Sequence, residues 1–413
     1  MSRRIILFAA FAFAYFLSNF FRATNAVIAG DLTRDLLLTA ADLGLMTSLF
    51  YAGFAATQLP LGVALDRIGP RFTTASLLLV SVGGCLIFSV ADSFAMVALG
   101  RTMLGIGMGG CLVGALKAFG VWYAPERVAT ITSLMVGMGA MGGLGAATPL
   151  AWINVQIGWR AVFGWGALII FCSALAIMLL VRNAPPGSAP PTTAAAGGDG
   201  FGRIFREPIF WRIVPLNFFL IGSMLAVQTL WGGPFLFDVL DLPPIEAGNL
   251  LLGLSGGIAF GYISCGWLAD RFGIERNMLI VTPISTICLA LIAIAGAALP
   301  PILLGLLFAG FGYGGAFNLV LLAQIRREFP EQMRGRAATA LNMFGFGGAA
   351  LIQWWMGILI AAFPRLADGR YPPIAYSTAF GVVALGMALS FLWYLPRRRA
   401  AVPRVAYSEV QND

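Results

Sequence analysis

Between two long apolar runs the chain carries the stretch Gly62-Val-Ala-Leu-Asp66-Arg67-Ile-Gly69-Pro70-Arg71, and it repeats the pattern as Gly266-Trp-Leu-Ala-Asp270-Arg271-Phe-Gly273-Ile-Glu-Arg276. In each copy a glycine stands four residues before an Asp-Arg pair, and a second glycine and an arginine follow. The copies lie 204 residues apart in a chain of 413 residues. This spacing indicates an internal duplication and predicts a protein built from two related halves.

The composition indicates that most side chains face lipid. Hydrophobic residues make up 59% of the chain and charged residues 11%. The apolar runs are about 20 residues long, which is the length that a helix needs to cross a hydrocarbon core of about 30 Å. We therefore predict an all-α integral membrane protein with twelve transmembrane helices in two six-helix halves. The predicted spans lie near residues 5–28, 43–65, 73–91, 94–119, 129–153, 159–181, 211–237, 245–268, 277–298, 300–325, 337–362 and 374–395.

A stretch rich in Pro, Ala and Gly separates the two halves. It runs from Asn183 to Gly200, and such a composition is typical of a flexible linker. An amphipathic segment at 201–210 should follow it at the membrane surface. The predicted organisation is an N-terminal half at 1–182, a linker at 183–210, a C-terminal half at 211–396 and a tail at 397–413.

Basic residues predict the orientation in the membrane. With the N-terminus inside, 19 of the 26 lysines and arginines fall in cytoplasmic segments and four in outer loops. Both termini are thus expected in the cytoplasm, and the net charge of +8 reflects topology rather than nucleic-acid binding. Abundant Ala, Gly and Arg with a single lysine suggest a bacterial inner membrane.

The chain lacks the residues of several enzyme classes. It contains no histidine, which excludes Ser-His and Cys-His nucleophiles and histidine-based metal sites. The five cysteines lie in apolar runs without metal-ligand spacing. We therefore expect no enzyme activity, no metal and no cofactor.

The two Asp-Arg stretches resemble those of the major facilitator superfamily, and the resemblance covers nearly the whole chain. It implies a solute site between the halves and a monomeric transporter. It also implies that the motif latches the cytoplasmic side closed in the outward-open state. The alternative is a loop that only sets topology. The residues expected to act in gating are Gly62, Asp66, Arg67, Gly69, Arg71, Gly266, Asp270, Arg271, Gly273 and Arg276. Glu275 stands where the first copy has Arg71, so the role of the second copy is less certain.

Three cations lie inside predicted spans, which have no acidic residue in their middles. Arg22 shares a helical face with Tyr15 and Asn19, whereas Arg101 and Lys117 lie on span 4. A charge within a bilayer needs a partner or water, and an anionic substrate would supply the partner. Alternatively, Arg101 bonds backbone carbonyls, and Arg22 and Lys117 extend to the membrane surface.

The second half offers four polar candidates for the same site: Gln228, Trp231, Asn318 and Asn342. Gln228 and Trp231 are three residues apart and should share a helical face. The sequence Trp231-Gly-Gly-Pro234 should break or bend the helix beside them. Trp231 could instead belong to the aromatic belt at the membrane interface.

These features predict a secondary transporter that works by alternating access, with a small organic anion as substrate and the lipid bilayer as its surroundings. The branch of the superfamily that carries organic anions is the nearest in character. One alternative is the efflux of drug-like or amphiphilic metabolites, in which the arginines are structural. A membrane protein that binds but does not transport is the third reading.

Overall fold

The structure, a computed structural model, describes residues 3–185, 200–330 and 333–395. Residues 186–199 of the predicted linker and the whole predicted tail lie outside the described residues. The described helices are α1 (Arg3–Ala23), α2 (Asn25–Leu36), α3 (Ala40–Arg67), α4 (Pro70–Ser89), α5 (Phe94–Met108), α6 (Gly110–Trp122), α7 (Pro125–Gly145), α8 (Thr148–Leu180), α9 (Gly200–Arg206), α10 (Pro208–Ala226), α11 (Gly232–Leu240), α12 (Pro244–Phe272), α13 (Ile274–Ala295), α14 (Pro301–Gly315), α15 (Asn318–Glu328), α16 (Arg334–Ala361) and α17 (Pro373–Tyr394). A π-helical turn, Val227–Trp231, joins α10 to α11.

The helices account for the predicted membrane crossings. Within the described residues, ten helical segments are long and apolar enough to span a bilayer, and α3, which bends by 47° near Pro60, makes eleven. The predicted fifth span consists of α7 and the first part of α8. Gly158, with a φ of +74°, ends that crossing and begins the sixth. With α8 divided at Gly158, the described helices follow the order of the twelve predicted spans.

The helical bundle has two ends, which differ in whether they hold the first and last described helix termini. The termini end holds the beginning of α1 and the end of α17, and the far end lies opposite. At the termini end the hydroxyl of Tyr123 donates to the carbonyl of Arg4 at 2.7 Å. The indole of Trp393 donates to the carbonyl of Trp211 at 3.0 Å. The described ends of both halves are thus tied to neighbouring helices.

The duplication is visible in matching hydrogen bonds. The Thr73 hydroxyl donates to the carbonyl of Ala64 at 3.2 Å, and the Asn277 amide donates to the carbonyl of Leu268 at 2.9 Å. In each half the donor stands seven positions after the motif aspartate and the acceptor two positions before it. The repeat in the sequence is therefore a repeat in the structure.

The two halves pack tightly against each other at the far end. The Ser48 hydroxyl on α3 donates to the carbonyl of Ala350 on α16 at 2.7 Å. Gly233 on α11 lies so near α2 that an added Cβ would stand 1.5 Å from the carbonyl oxygen of Ala26. Only glycine permits such an approach of two backbones.

The halves separate towards the termini end. A Cβ added at Gly62 on α3, or at Gly266 on α12, would meet no atom within 4 Å. The following Asp66 and Asp270 side chains are 51% and 80% exposed. The bundle is thus closed at the far end and open at the termini end.

Candidate functional site

Arg101 stabilises the break between α1 and α2. Its side chain is fully buried, and its guanidinium donates to the carbonyls of Phe21 at 2.9 Å and Arg22 at 3.5 Å. These carbonyls come just before Thr24, where the regular helix ends and its last carbonyls lack helical partners. The guanidinium also lies over the ring of Phe50, 5.0 Å from its centroid. This geometry gives Arg101 a structural role, and its predicted contact with substrate stays a prediction.

Arg22 is in a different situation, because its guanidinium has no polar partner among the described residues. The residue is 9% exposed, and its buried Nε has no hydrogen-bond acceptor. Among the described side chains, no carboxylate lies within ion-pair distance of Arg22. Its neighbours are two rings, those of Phe54 at 5.2 Å and Phe346 at 5.8 Å from the guanidinium carbon. Arg22 is therefore a buried cation without a counter-charge.

The two rings beside Arg22 belong to opposite halves of the protein. Phe54 lies on α3 and Phe346 on α16, and their centroids are 4.6 Å apart. Each lies roughly 20 Å from the beginning of its helix at 1.5 Å per residue, near the middle of the bundle. The unpaired charge thus lies at mid-depth, where the two halves meet.

A hydrogen-bonded network lies next to this cluster and also connects the halves. The buried hydroxyl of Tyr51 on α3 donates to the Thr229 hydroxyl at 3.1 Å. The amide of Gln353 on α16 donates to the same oxygen at 3.1 Å. Tyr51 also stacks on Phe346, with centroids 6.4 Å apart. These contacts tie α3, the π turn and α16 together on one side of Arg22.

The expectation that Lys117 is a buried cation without an acidic partner was wrong. Its ammonium group pairs with Asp66 at 2.5 Å, and its side chain is 37% exposed. The sequence did not show this pairing because the partners are 51 positions apart, on α6 and α3. The argument for an anionic substrate therefore depends on Arg22, since Arg101 bonds the backbone and Lys117 bonds Asp66.

Gln228 and Trp231 do not share a face. The half-exposed Gln228 amide donates to the Ser255 hydroxyl at 3.5 Å. Trp231 is fully buried, and its indole donates to the carbonyl of Gln353 at 3.0 Å. The reason is the π turn, which has more residues per turn than an α-helix and so rotates positions three apart away from each other. The sequence Trp231-Gly-Gly-Pro234 predicted a break or bend, and the α-helix is interrupted here by the π turn.

The remaining predicted site residues lie on several elements. Asn19 and Tyr15 are half-buried on α1, where the Asn19 amide donates to the Tyr15 carbonyl at 3.0 Å. Asn318 is nearly buried, and its Oδ1 has no partner within the described structure. Asn342 is half-buried on α16. No described hydrogen bond joins Asn318 or Asn342 to Arg22.

Phe54 and Phe346 are site residues that sequence reasoning missed. The chain contains 32 phenylalanines, and nothing in the spacing of these two distinguishes them from residues that face lipid or core. The unpaired Arg22 was a signal that some partner existed. Only the packing of α3 against α16 shows which rings provide it.

The first gating copy is held within its own half. Gly69, with a φ of +90°, begins α4, and the backbone N–H of Arg71 donates to the Asn183 side chain at 3.0 Å. The Arg71 guanidinium donates to the carbonyl of Met178 at 2.6 Å. Arg67 is exposed. These contacts join the loop to the end of α8, and the partner of Asp66 is also in this half.

The second gating copy is likewise confined to its half. Gly273, with a φ of +84°, ends α12, and Asp270 lies 3.9 Å from Arg327 on α15. Arg271 lies over the ring of Trp267, 5.6 Å from its centroid, and Arg276 is exposed. Neither aspartate bridges the halves, which agrees with an open termini end. The predicted latch thus stays a prediction for the opposite conformation.

A cavity of about 410 Å³ lies at the far end, between α2, α11 and the segment that joins α16 to α17. The Arg365 guanidinium on that segment donates to the carbonyl of Leu38 at 2.6 Å and lies over the ring of Tyr371. The Tyr371 hydroxyl accepts from the backbone N–H of Ala40 at 3.2 Å. Because Leu38 and Ala40 belong to the N-terminal half, these bonds close the far end.

Comparison with known proteins identifies the family. The sequence profile of the Major Facilitator Superfamily matches residues 11–353. The chain belongs to this superfamily. It is therefore a membrane transporter and not an enzyme. The predicted fold class, an all-α membrane protein of this superfamily, is confirmed.

Two relatives and one solved structure show what this superfamily member is similar to. It is 26% identical to a gallate transporter of Pseudomonas putida over 97% of this chain and 94% of that protein. It is 24% identical to the nitrate/nitrite transporter NrtP of Picosynechococcus, in a match that covers 50% of this chain and only 43% of that protein. The crystal structure of a bacterial homologue of the human lysosomal transporter Spinster, in an inward-facing and unoccupied conformation, covers 95% of both chains with a TM-score of 0.73 and 19% identity. This last likeness shows the fold alone.

Proposed function

We propose that this superfamily member is a secondary transporter that carries a small organic anion across the bacterial inner membrane by alternating access. The observation that carries the proposal is the guanidinium of Arg22, which is buried at mid-depth without a described acidic partner. A charge in this position costs several kcal/mol unless it is paired or hydrated. A substrate carboxylate or other anionic group would supply the missing partner.

The closed far end and open termini end are one of the two conformations that alternating access requires. With both termini in the cytoplasm, as the arginines predict, this is the inward-open conformation. In the other conformation the termini end would close around the two gating copies, including Asp66 and Asp270. Lys117 would then line the route between the site and the cytoplasm, and the protein would act as a monomer in the bilayer.

The relatives support an anionic substrate. Gallate, nitrate and nitrite, the solutes for which these relatives are named, are all anions. The half-buried Tyr15, Asn19 and Gln228 provide polar groups for the rest of the solute. The efflux of neutral or cationic amphiphiles would leave the bare charge of Arg22 unexplained.

The test is a thermal-shift screen of purified protein against organic anions, followed by uptake into proteoliposomes, for wild type, Arg22→Gln and Arg101→Gln. Ligand binding to the native state raises the melting temperature by mass action. We expect one class of anions to stabilise wild type and to have no effect on Arg22→Gln. That variant should otherwise fold normally, because it removes an unpaired charge.

Arg101→Gln serves as the contrasting variant, because it breaks bonds to backbone carbonyls and should lower the melting temperature without ligand. Anion binding and uptake that persist in Arg22→Gln would refute the proposed site. Stabilisation by bulky apolar compounds in both variants would instead identify an efflux transporter.

A further inference from the structure

We propose that Phe54 and Phe346 form an aromatic latch on Arg22, which holds the empty transporter in the far-end-closed state until a bound anion releases it. The latch is defined by these two rings and the guanidinium between the halves. The inference rests on the proposed anion site at Arg22 and adds to it a mechanism that couples occupancy to conformation.

The geometry meets the requirements of a cation–π contact on both rings. The guanidinium carbon of Arg22 lies 5.2 Å from the centroid of Phe54 and 5.8 Å from that of Phe346. Contacts within about 6 Å are attractive, and they strengthen when the cation is removed from water. Arg22 is 9% exposed and has no described hydrogen-bond partner that would compete with the rings. The rings are thus the main compensation for its charge.

The latch joins the two helices whose separation opens the far end. Phe54 is on α3 and Phe346 on α16, the same pair that Ser48 and Ala350 connect nearer the far end. On the termini side of the latch the halves no longer touch around Gly62. The latch therefore marks the boundary between the packed and the open part of the interface.

An anion on Arg22 would weaken this contact for a simple electrostatic reason. The rings attract the guanidinium because it carries a net positive charge, and a paired anion cancels most of that charge. A ligand shifts a conformational equilibrium only by its differential affinity for the two states. The anion would have this difference, because in the closed state it competes with the rings and in the open state it does not.

This coupling predicts that the transporter exchanges anions faster than it carries them in one direction. After releasing its substrate, the empty protein regains the latch and changes conformation slowly. With an anion bound, the latch is weak and the protein changes conformation quickly. Exchange of an external for an internal anion avoids the slow step.

The experiment measures the far-end distance in purified full-length protein. Spin labels are attached to cysteines introduced at Asp92 and Ala298, which are exposed on far-end loops of opposite halves, in a Cys172→Ser background that removes the exposed native thiol. Without ligand, Phe346→Leu should raise the ratio of molecules with an open far end to molecules with a closed far end by about tenfold. Phe346→Tyr keeps an aromatic face and should resemble wild type.

Phe344→Leu is the matched control. Phe344 lies on the same helix and is also half-buried, but its ring packs on Phe210 and Trp211, with centroids 5.8 and 5.5 Å away. If Phe346 acted only through apolar packing on Phe54, Phe346→Leu would raise the open-to-closed ratio as much in an Arg22→Gln background as in wild type. An open-to-closed ratio in Phe346→Leu no higher than in Phe344→Leu would overturn the latch.

The second arm uses benzoate and nitrate as probe anions. Either anion should raise the fraction of wild-type molecules whose far end is open. The same fraction should not change in Phe346→Leu or Arg22→Gln. In proteoliposomes, external benzoate should accelerate release of labelled internal benzoate by about tenfold in wild type and not in Phe346→Leu. No response of wild type to any anion would refute the proposed function, whereas transport with unchanged acceleration in Phe346→Leu would refute only the latch.

Discussion

Tyr371→Phe removes one hydrogen bond between the halves at the far end. Tyr371 lies between α16 and α17, and its hydroxyl accepts from the backbone N–H of Ala40 at 3.2 Å. Ala40 is the first residue of α3 and is 1% exposed. The first N–H groups of a helix have no helical acceptor, so this hydroxyl is the partner of that N–H in the closed state.

The expected shift of the equilibrium depends on whether the freed N–H of Ala40 finds another hydrogen-bond acceptor in each state. In the closed variant the N–H stays buried without an acceptor, which costs about 1–3 kcal/mol. In the open state water reaches it, and the penalty disappears. The equilibrium should therefore move towards the open far end by about 5- to 150-fold. The ring remains, so the stacking of Arg365 on it is retained.

The assay is the spin-label distance between the two far-end loops, with Tyr376→Phe as the control. The Tyr376 hydroxyl donates to Asp238 at 2.6 Å, and both residues belong to the C-terminal half. The control thus loses a hydrogen bond that is shorter and charge-assisted, but that lies within one half and does not connect the halves. If Tyr371→Phe opens the far end no more than Tyr376→Phe does, the inter-half bond does not hold the closed state and the reasoning fails.

Three further predictions concern stability and closure. Arg101→Gln should lower the free energy of unfolding by about 3 kcal/mol, measured by thermal or denaturant unfolding in detergent, because buried carbonyls lose charged donors; an unchanged melting temperature would contradict this. The indole N–H of Trp159 lowers the pKa of Asp35. The ionised carboxylate therefore stabilises the folded protein above the unfolded pKa of about 3.8, and this stability is lost as the pH falls through the lower folded pKa. In melting temperatures measured over a pH series, Asp35→Asn should show a smaller loss of stability in acid. Gly233→Ala should prevent closure of the far end and abolish transport, whereas Gly347→Ala, where an added Cβ meets no atom within 4 Å, should transport normally.

Sequence patterns were sufficient for the fold because each rests on a local or periodic property. Apolar runs of bilayer length predicted the helices, and two copies of one motif predicted two related halves. The structure repeats the motif down to the matching bonds of Thr73 and Asn277. The interruption of the α-helix before Pro234 was also predictable, since proline disturbs a helix by its own covalent geometry.

The candidate site was only partly predictable, because the state of a buried charge depends on residues far away in the chain. Arg22, Arg101 and Lys117 looked alike as cations in apolar spans. In the folded protein Arg101 bonds the backbone of α1, and Lys117 pairs with Asp66. Of the three, Arg22 alone has no polar partner in the described part of the chain, and its neighbours Phe54 and Phe346 are 292 positions apart.

The sequence by itself determined that this chain is a duplicated helical membrane protein, since hydrophobicity and backbone hydrogen bonding leave lipid-embedded segments few alternatives. The tertiary structure decided which of three cations is unpaired, which rings surround it and which end of the bundle is closed. These features depend on distances between side chains of different helices. Such distances are set by packing, which no pattern along the chain records.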